Sequence, residues 1–288
     1  MKRFLVFGLL AVSMGRALAL DSGVCQFDKA TLTFRGDARE QAGCLLRPVA
    51  KWGKPGAAPA ALPAVLADRV GQPVGKLKPQ LKRYLAERNI PEASIGGSLG
   101  AALSRTATGS AAPQPARYFV LHDTSAPWLG DAAAFPANDA PALNRLEQYG
   151  GPEARAHVFV NRVGATLAGH DFSVPWRATK LESKVVGTDS RGLFLHIELL
   201  QPRRRDPSGP PGNDAIAPQP GFTAAQYEKL ALLYAAASAR GDAWMIPAFH
   251  AVIDDTIPQA HDDPQNFDLD AFGKALSALL DALPAFPG

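Results

Sequence analysis

The chain has 288 residues, 47% of them hydrophobic, with 30 Lys and Arg against 27 Asp and Glu. That length and apolar content exclude a disordered, solvating chain and suit one full domain with a smaller companion region. The near balance of charge excludes basicity as an argument for nucleic-acid binding.

The first residues bear on compartment. Lys2 and Arg3 open the chain, Phe4 to Met14 is an almost unbroken apolar run, and Ala17-Leu18-Ala19 gives a small-x-small pattern. Such a run falls short of the roughly 20 residues that span a bilayer. Residues 1–19 therefore read as a cleaved signal peptide, with a membrane anchor as the other reading. Cleavage removes Lys2, Arg3 and Arg16 and no acidic residue, which leaves basic and acidic residues equal in number. The expectation is a protein secreted across the inner membrane, periplasmic or extracellular, without a transmembrane segment after cleavage and without a nucleic-acid partner.

Cys25 and Cys44 flank a predicted strand over Ala30–Arg35. In an oxidising compartment the pair is expected to form a disulfide. A pair of metal thiolates is the alternative, but the short CxxC spacing and neighbouring histidines of zinc sites are missing. A Pro/Ala/Gly-rich stretch follows over Gly53–Pro63. Leu77, Leu81, Tyr84 and Leu85 then mark a helix with Lys76, Lys78, Lys82 and Arg83 around it. Ser104–Pro115 reads as a linker, so residues 20–112 are expected to form an N-terminal accessory region.

From Arg117 the pattern is that of an α/β domain over residues 113–288. Tyr118–Leu121 is an apolar strand ending at His122, and residues 156–169 read as a hairpin around Asn161-Arg162-Val163-Gly164. Leu193–Leu200 is a strongly apolar strand. Arg203-Arg204-Arg205, among prolines, reads as an exposed loop, solvated or holding substrate carboxylates. Thr223 and Gln226 form a capping-box pair for a helix running to Arg240, with Gly241 as its stop. A last helix covers residues 269–283. The predicted class is α/β, a mixed central β-sheet flanked by helices, with a smaller N-terminal α+β region.

Histidines carry the candidate chemistry. His122 ends a buried-type strand, and His250 follows the apolar run Trp244–Phe249. His261-Asp262-Asp263-Pro264 comes shortly after. Two imidazoles and a carboxylate suffice for a catalytic zinc that keeps a fourth position open. Glu198 interrupts a strand otherwise fit for burial, where a carboxylate needs a partner or a function. His196, two residues away on the same strand face, either orients that glutamate, contacts substrate or fills a polar pocket. His170 reads as a loop residue.

The ordered pieces VLHDTSAP, AHVFVNRVGATLAGHDF, LFLHIELLQ, GFTAAQYEKLALLY and FHAVID…HDDPQNF resemble the zinc-dependent N-acetylmuramoyl-L-alanine amidases, which share their fold with peptidoglycan recognition proteins. The resemblance covers about Tyr118 to Phe272 and nothing before residue 110. It implies Zn2+ held by His122, His250 and Asp263, with Glu198 as catalytic glutamate and peptidoglycan or muropeptides as substrate. Asp263 is preferred to Asp262 because the family motif is an Asp-Pro pair with an aromatic residue three positions after the proline, met by Phe267. The family also has a histidine at the place of His157, near the metal but not on it, which makes His157 a candidate substrate contact beside His196. Two departures stand out. His261 occupies the place of a family lysine that stabilises the oxyanion, and the His250–Asp263 spacing is longer, so that Asp254–Ala260 must bulge. A non-catalytic peptidoglycan-binding module of the same fold is the alternative.

Overall fold

The computed structural model describes residues 25–107, 112–210 and 214–285. The expected signal peptide and the centre of the expected linker lie outside these residues. After Cys25 the chain forms a short hairpin, β1 (Phe27–Asp28) with β2 (Thr33–Phe34). The expected strand over Ala30–Arg35 is shortened because Leu32 takes a positive φ of 52° and turns the chain. Asp37 and Glu40 form a capping box at the start of α1 (Ala38–Leu45). Cys44, on α1, forms the disulfide with Cys25. Two helices follow, α2 (Ala64–Ala67) and α3 (Leu77–Glu87). The latter buries Leu77, Leu81 and Leu85 on one stripe and exposes Lys82 and Arg83.

The central elements are β3 (Tyr118–Asp123), β4 (Val158–Val160), β5 (Thr166–Ala168) and β6 (Phe194–Leu199). A small ribbon of β7 (Arg204–Arg205) and β8 (Ala215–Ile216) leads to α4 (Ala224–Gly241). Strand β9 (Ile246–Phe249), the short α5 (His250–Ile253) and α6 (Leu269–Asp281) complete the fold. The five-stranded sheet has the order β5-β4-β6-β3-β9. Only β5 runs antiparallel to its neighbour. This is a mixed α/β sheet, and its parallel centre explains why β3 and β6 read as continuous apolar runs: both faces are covered.

On one face, Phe119 meets Tyr234 of α4 at 5.3 Å, and the Tyr234 hydroxyl donates to Met245 O. Helix α4 is buried nearly all round, between the sheet and α6, which its Ala-rich sequence permits. Thr223 and Gln226 form the expected capping box. Gly241, however, is the last helical residue, and the left-handed cap is Asp242 at φ 57°. On the other face, Tyr118 and Phe194 stack at 5.1 Å over Phe27 and Phe34 of the N-terminal hairpin. The Tyr118 hydroxyl accepts from Phe34 N–H and donates to Gln41 Oε1.

One continuous hydrophobic core therefore runs from Phe27 to Leu279. The N-terminal region shares that core with the sheet. The described ends of the expected linker are pinned: Ala116 N donates to Ser104 O, Thr106 N to Gln114 O, and buried Ser104 reaches Phe172 O and Gly192 O. Among the described residues no helix is long and apolar enough to cross a membrane.

Candidate metal centre

Strand pairing places the first two functional side chains. In the parallel register of β3 and β6, Val120 pairs with His196 and His122 with Glu198. Alternation puts all four on the face away from α4, with His122 and Glu198 side by side near the strands' C-terminal ends. Open parallel sheets present their ligand crevice at that end. His250 enters from the neighbouring edge, as the first residue of α5 directly after β9. Asp263 returns on the following loop, where its carbonyl accepts from Ala251 N.

His122, His250 and Asp263 converge and are all buried. The His122 and His250 Nδ1 atoms are 2.9 Å apart, and the Asp263 carboxylate lies 3.1 Å from His250 Nδ1 and 3.7 Å from His122 Nδ1. Metal bonds of about 2.0–2.1 Å to tetrahedral N and O ligands imply donor–donor separations of about 3.3 Å. The three measured edges bracket that value, so the donor set fits a small divalent cation. Two facing imidazole lone pairs beside a carboxylate repel one another unless a proton or cation lies between them, which is the chemical reason for the fit.

The far side of each imidazole is also engaged. His250 Nε2 is 3.0 Å from Asp254 Oδ2, and His122 Nε2 is 3.0 Å from His196 Nδ1. Burial alone disfavours charge on both ligands. For His122 the neighbouring His250 and His196 add to that effect and hold its pKa well below the ordinary value. For His250 the carboxylates of Asp263 and Asp254 outweigh burial and hold it well above. Asp263 is lowered although burial opposes this, because His250 stands against it.

Glu198 faces this group. Burial first, then the Asp263 and Asp123 carboxylates, push its carboxyl up to about 8. Its Oε2 is buried with no hydrogen-bond partner among the described residues. Together with the ligands it lines a cavity of about 740 Å³, which also exposes Tyr149, Arg155, Trp176 and Arg177. Tyr149 stacks on Phe159 at 5.1 Å, and Trp176 stacks on His170 at 4.1 Å. His170 is thus held by the indole and by Ala154 O rather than sitting free in its loop. His261, half exposed at 52%, stacks over His250 at 4.3 Å and lines the same cavity. Burial and the His250 charge lower its pKa.

His157 and His196 do not line the cavity. Both are fully buried, so neither is placed to touch a substrate. His196 shares a face with Glu198 as expected but lies two residues deeper, between His122 and Glu182, whose Oε2 is 3.2 Å from His196 Nε2. His157 Nδ1 accepts from His196 N, and its Nε2 is turned to Val174 O. Burial, reinforced by His196, lowers the His157 pKa to about 3. The bulged segment after His250 does not line the cavity either. It is clamped from behind by Arg47, which donates to Asp255 Oδ2 at 2.7 Å.

Several participants escaped the sequence reading. Asp254 stands four residues after His250, a helical spacing that marks it in retrospect. Asp123, directly after His122, forms a buried ion pair of 2.6 Å with Arg203. Arg203 is only 1% exposed, which corrects the reading of an exposed loop at that residue, whereas Arg204 is half-buried and Arg205 is exposed, both on β7. Burial raises the Asp123 carboxyl to about 6, with Arg203 pulling against it and Asp263 adding to it. Glu182 had no sequence signal, because only the tertiary fold brings it beneath His196. No family model, curated protein or solved structure matches the chain.

Proposed function

We propose that this protein is a zinc-dependent hydrolase that cleaves the amide bond between N-acetylmuramic acid and L-alanine in peptidoglycan or muropeptides. The observation that carries the hydrolase reading is the convergence of His122, His250 and Asp263 beside the cavity-facing carboxyl of Glu198. The choice of zinc and of the muramoyl bond rests on the ordered resemblance in the sequence. When bound, the ion supplies Lewis acidity, polarising a carbonyl oxygen and making water easier to deprotonate.

The chain's own residues supply the rest. Glu198 accepts a proton from the attacking water and delivers it to the leaving amine nitrogen. The raised pKa of Glu198 reflects burial and the two neighbouring carboxylates. A cation among those carboxylates offsets them and brings the group toward the range where a neutral-pH base operates. His261, neutral and open to the cavity, offers an N–H to oxygen charge developing on the scissile carbonyl. The aromatic faces of Tyr149 and Trp176 and the guanidinium groups of Arg155 and Arg177 give the cavity apolar walls with a few charged points, which suits a ligand that is part sugar and part acidic peptide.

The disulfide and the absence of a membrane-crossing helix among the described residues are compatible with work outside the inner membrane. The test is a digest of purified sacculi or muropeptides by the metal-loaded protein, read by mass spectrometry. Free stem peptides are expected, and Glu198→Gln is expected to abolish them. Undiminished release by that variant refutes the mechanism. Binding to sacculi without release replaces the enzyme reading with the binding-module one.

A further inference from the structure

Asp263 follows His250 by 13 residues, and the loop between them must return to the site without the help of a strand or helix. Its start is anchored where Lys180 N and Leu181 N donate to Asp254. Residues 258–261 are then exposed. A ligand carried by such a segment needs a support that fixes the point of return, because a working site tolerates displacements of only about 0.5 Å.

The support comes from the N-terminal region. Residues 47–56 fold into a tight turn in which Ala50 N donates to Lys54 O, Gly53 N to Ala50 O and Gly56 N to Pro48 O. This turn meets the ligand loop at three points. Buried Arg47 donates to Asp255 Oδ2 at 2.7 Å and to Gly56 O at 2.8 Å, which joins the start of the loop to the end of the turn. Val49 O accepts from Asn266 N at 3.2 Å, just beyond Asp263. Between these two contacts, Gly53 packs directly against Asp262, the residue before the ligand.

The Gly53 contact leaves no latitude. Gly53 is buried at a φ of +74°, and a Cβ built on it would overlap both Cβ and Cα of Asp262. Only glycine lets two stretches of backbone approach so closely. Asp262 is also held from its other side, where its Oδ2 accepts from Gln265 Nε2 at 2.7 Å. Gln265 N in turn donates to Asp123 Oδ2, beside His122, and Asp123 N donates to the Asp263 carboxylate. A displacement of Asp262 therefore passes to Asp263 through the chain and through these bonds.

We propose that the turn over residues 47–56 is a built-in template for the metal-ligand loop, and that Gly53 is the positioning residue that sets where Asp263 returns. The N-terminal region is then part of the metal centre. This rests on the metal-centre reading above and adds what holds its third ligand in place. Coupling between two sites is reciprocal, so metal bound at Asp263 steadies the turn in its own right.

Two measurements on the intact protein test this. Titration against a chromophoric chelator is expected to show Zn2+ bound at least roughly 10-fold more weakly by Gly53→Ala. Gly71→Ala is the matched control. Gly71 has a φ of +78°, and a Cβ there would overlap Ala38 Cβ, but it lies against Trp244, at the opposite end of β9 from His250. That variant should lose stability and keep its Zn2+ affinity. Hydrogen–deuterium exchange of wild type is the second measurement. Saturating Zn2+ should slow exchange over residues 47–56 as well as 261–266 and leave α3 unchanged. Wild-type affinity in Gly53→Ala, equal losses of affinity in the two glycine variants, or exchange over 47–56 that ignores Zn2+ overturns the proposal. Should Gly53→Ala fail to fold, the exchange experiment decides. If wild-type protein takes up no metal at all, the metal-centre reading is what fails, and the template falls with it.

Discussion

Removing Arg203 should destabilise the protein in a pH-dependent way. Its ion pair with Asp123 is 2.6 Å long, and the two side chains are 1% and 0% exposed. Breaking a buried pair by deleting one partner leaves an uncompensated charge and costs about 3–5 kcal/mol. Two features place Arg203→Met near the lower end. Asp123 keeps donors from Ser125 N, Ser125 Oγ and Gln265 N. Arg203 Nε and Nη1 are themselves buried without partners, so deleting them relieves a desolvation cost. The expected penalty at pH 8 is about 3 kcal/mol. The folded pKa of Asp123, about 6, lies above its ordinary 3.8. Its protonated form is therefore favoured in the folded state, and stability from this group is lost as pH rises from about 4 through about 6. Without Arg203 that loss deepens and extends to higher pH. At pH 5 the carboxyl is largely neutral with or without Arg203, and the penalty should shrink. Urea unfolding at pH 8 and pH 5, with a chelator present to remove metal linkage, measures both values. A penalty below about 1 kcal/mol at pH 8, or one equal at the two pH values, refutes the argument.

Other outcomes follow from the same geometry. Asp254→Asn should weaken Zn2+ binding roughly 10- to 100-fold by replacing the carboxylate behind His250 Nε2 with a neutral amide, which a competition titration reads. His157 has a folded pKa of about 3 against 6.5, so its contribution is complete above pH 6.5 and is lost as pH falls toward 3. His157→Gln should therefore reduce the acid sensitivity of unfolding by about 2 kcal/mol between pH 7 and pH 5; an unchanged slope would count against a neutral buried imidazole. His261→Ala should lower kcat by roughly 10²- to 10³-fold while leaving metal affinity intact; parallel loss of both would mean His261 belongs to the ligand set. Replacing both cysteines by alanine should cost about 3 kcal/mol for the sequence separation of 19, and a melting temperature equal to that of wild type would show that the bridge adds nothing.

The fold was legible where local and global signals agree. The capping box of α4 and the apolar runs of β3 and β6 need only pattern and propensity, and the structure places them within a residue or two. Chemistry was less legible. His122, His250 and Asp263 are separated by long stretches of chain, and their convergence depends on β9 pairing with β3. In the sequence only the order of motifs suggested it. Arg203 misled because an arginine run among prolines has the composition of a solvated loop, and its burial depends on Asp123, eighty residues away. Glu182 was invisible because only the tertiary fold brings its carboxylate to within 3.2 Å of His196. The described ends of the expected linker over Ser104–Pro115 are hydrogen-bonded, because small and polar residues also suit chain that pairs closely with its neighbours.

The edge position of β9 has a kinetic consequence. Its four register partners lie on β3, more than a hundred residues earlier, and its remaining support includes α1 from the disulfide-linked start of the chain. Contacts so distant in sequence close slowly, because loop entropy is lost before they repay it. His250 reaches its place only when that last strand docks, so metal capture should be among the final events of refolding. A chain stopped before residue 246 should show helical signal and partial collapse without a metal site. Metal uptake, followed in stopped-flow refolding, would then time the completion of the fold.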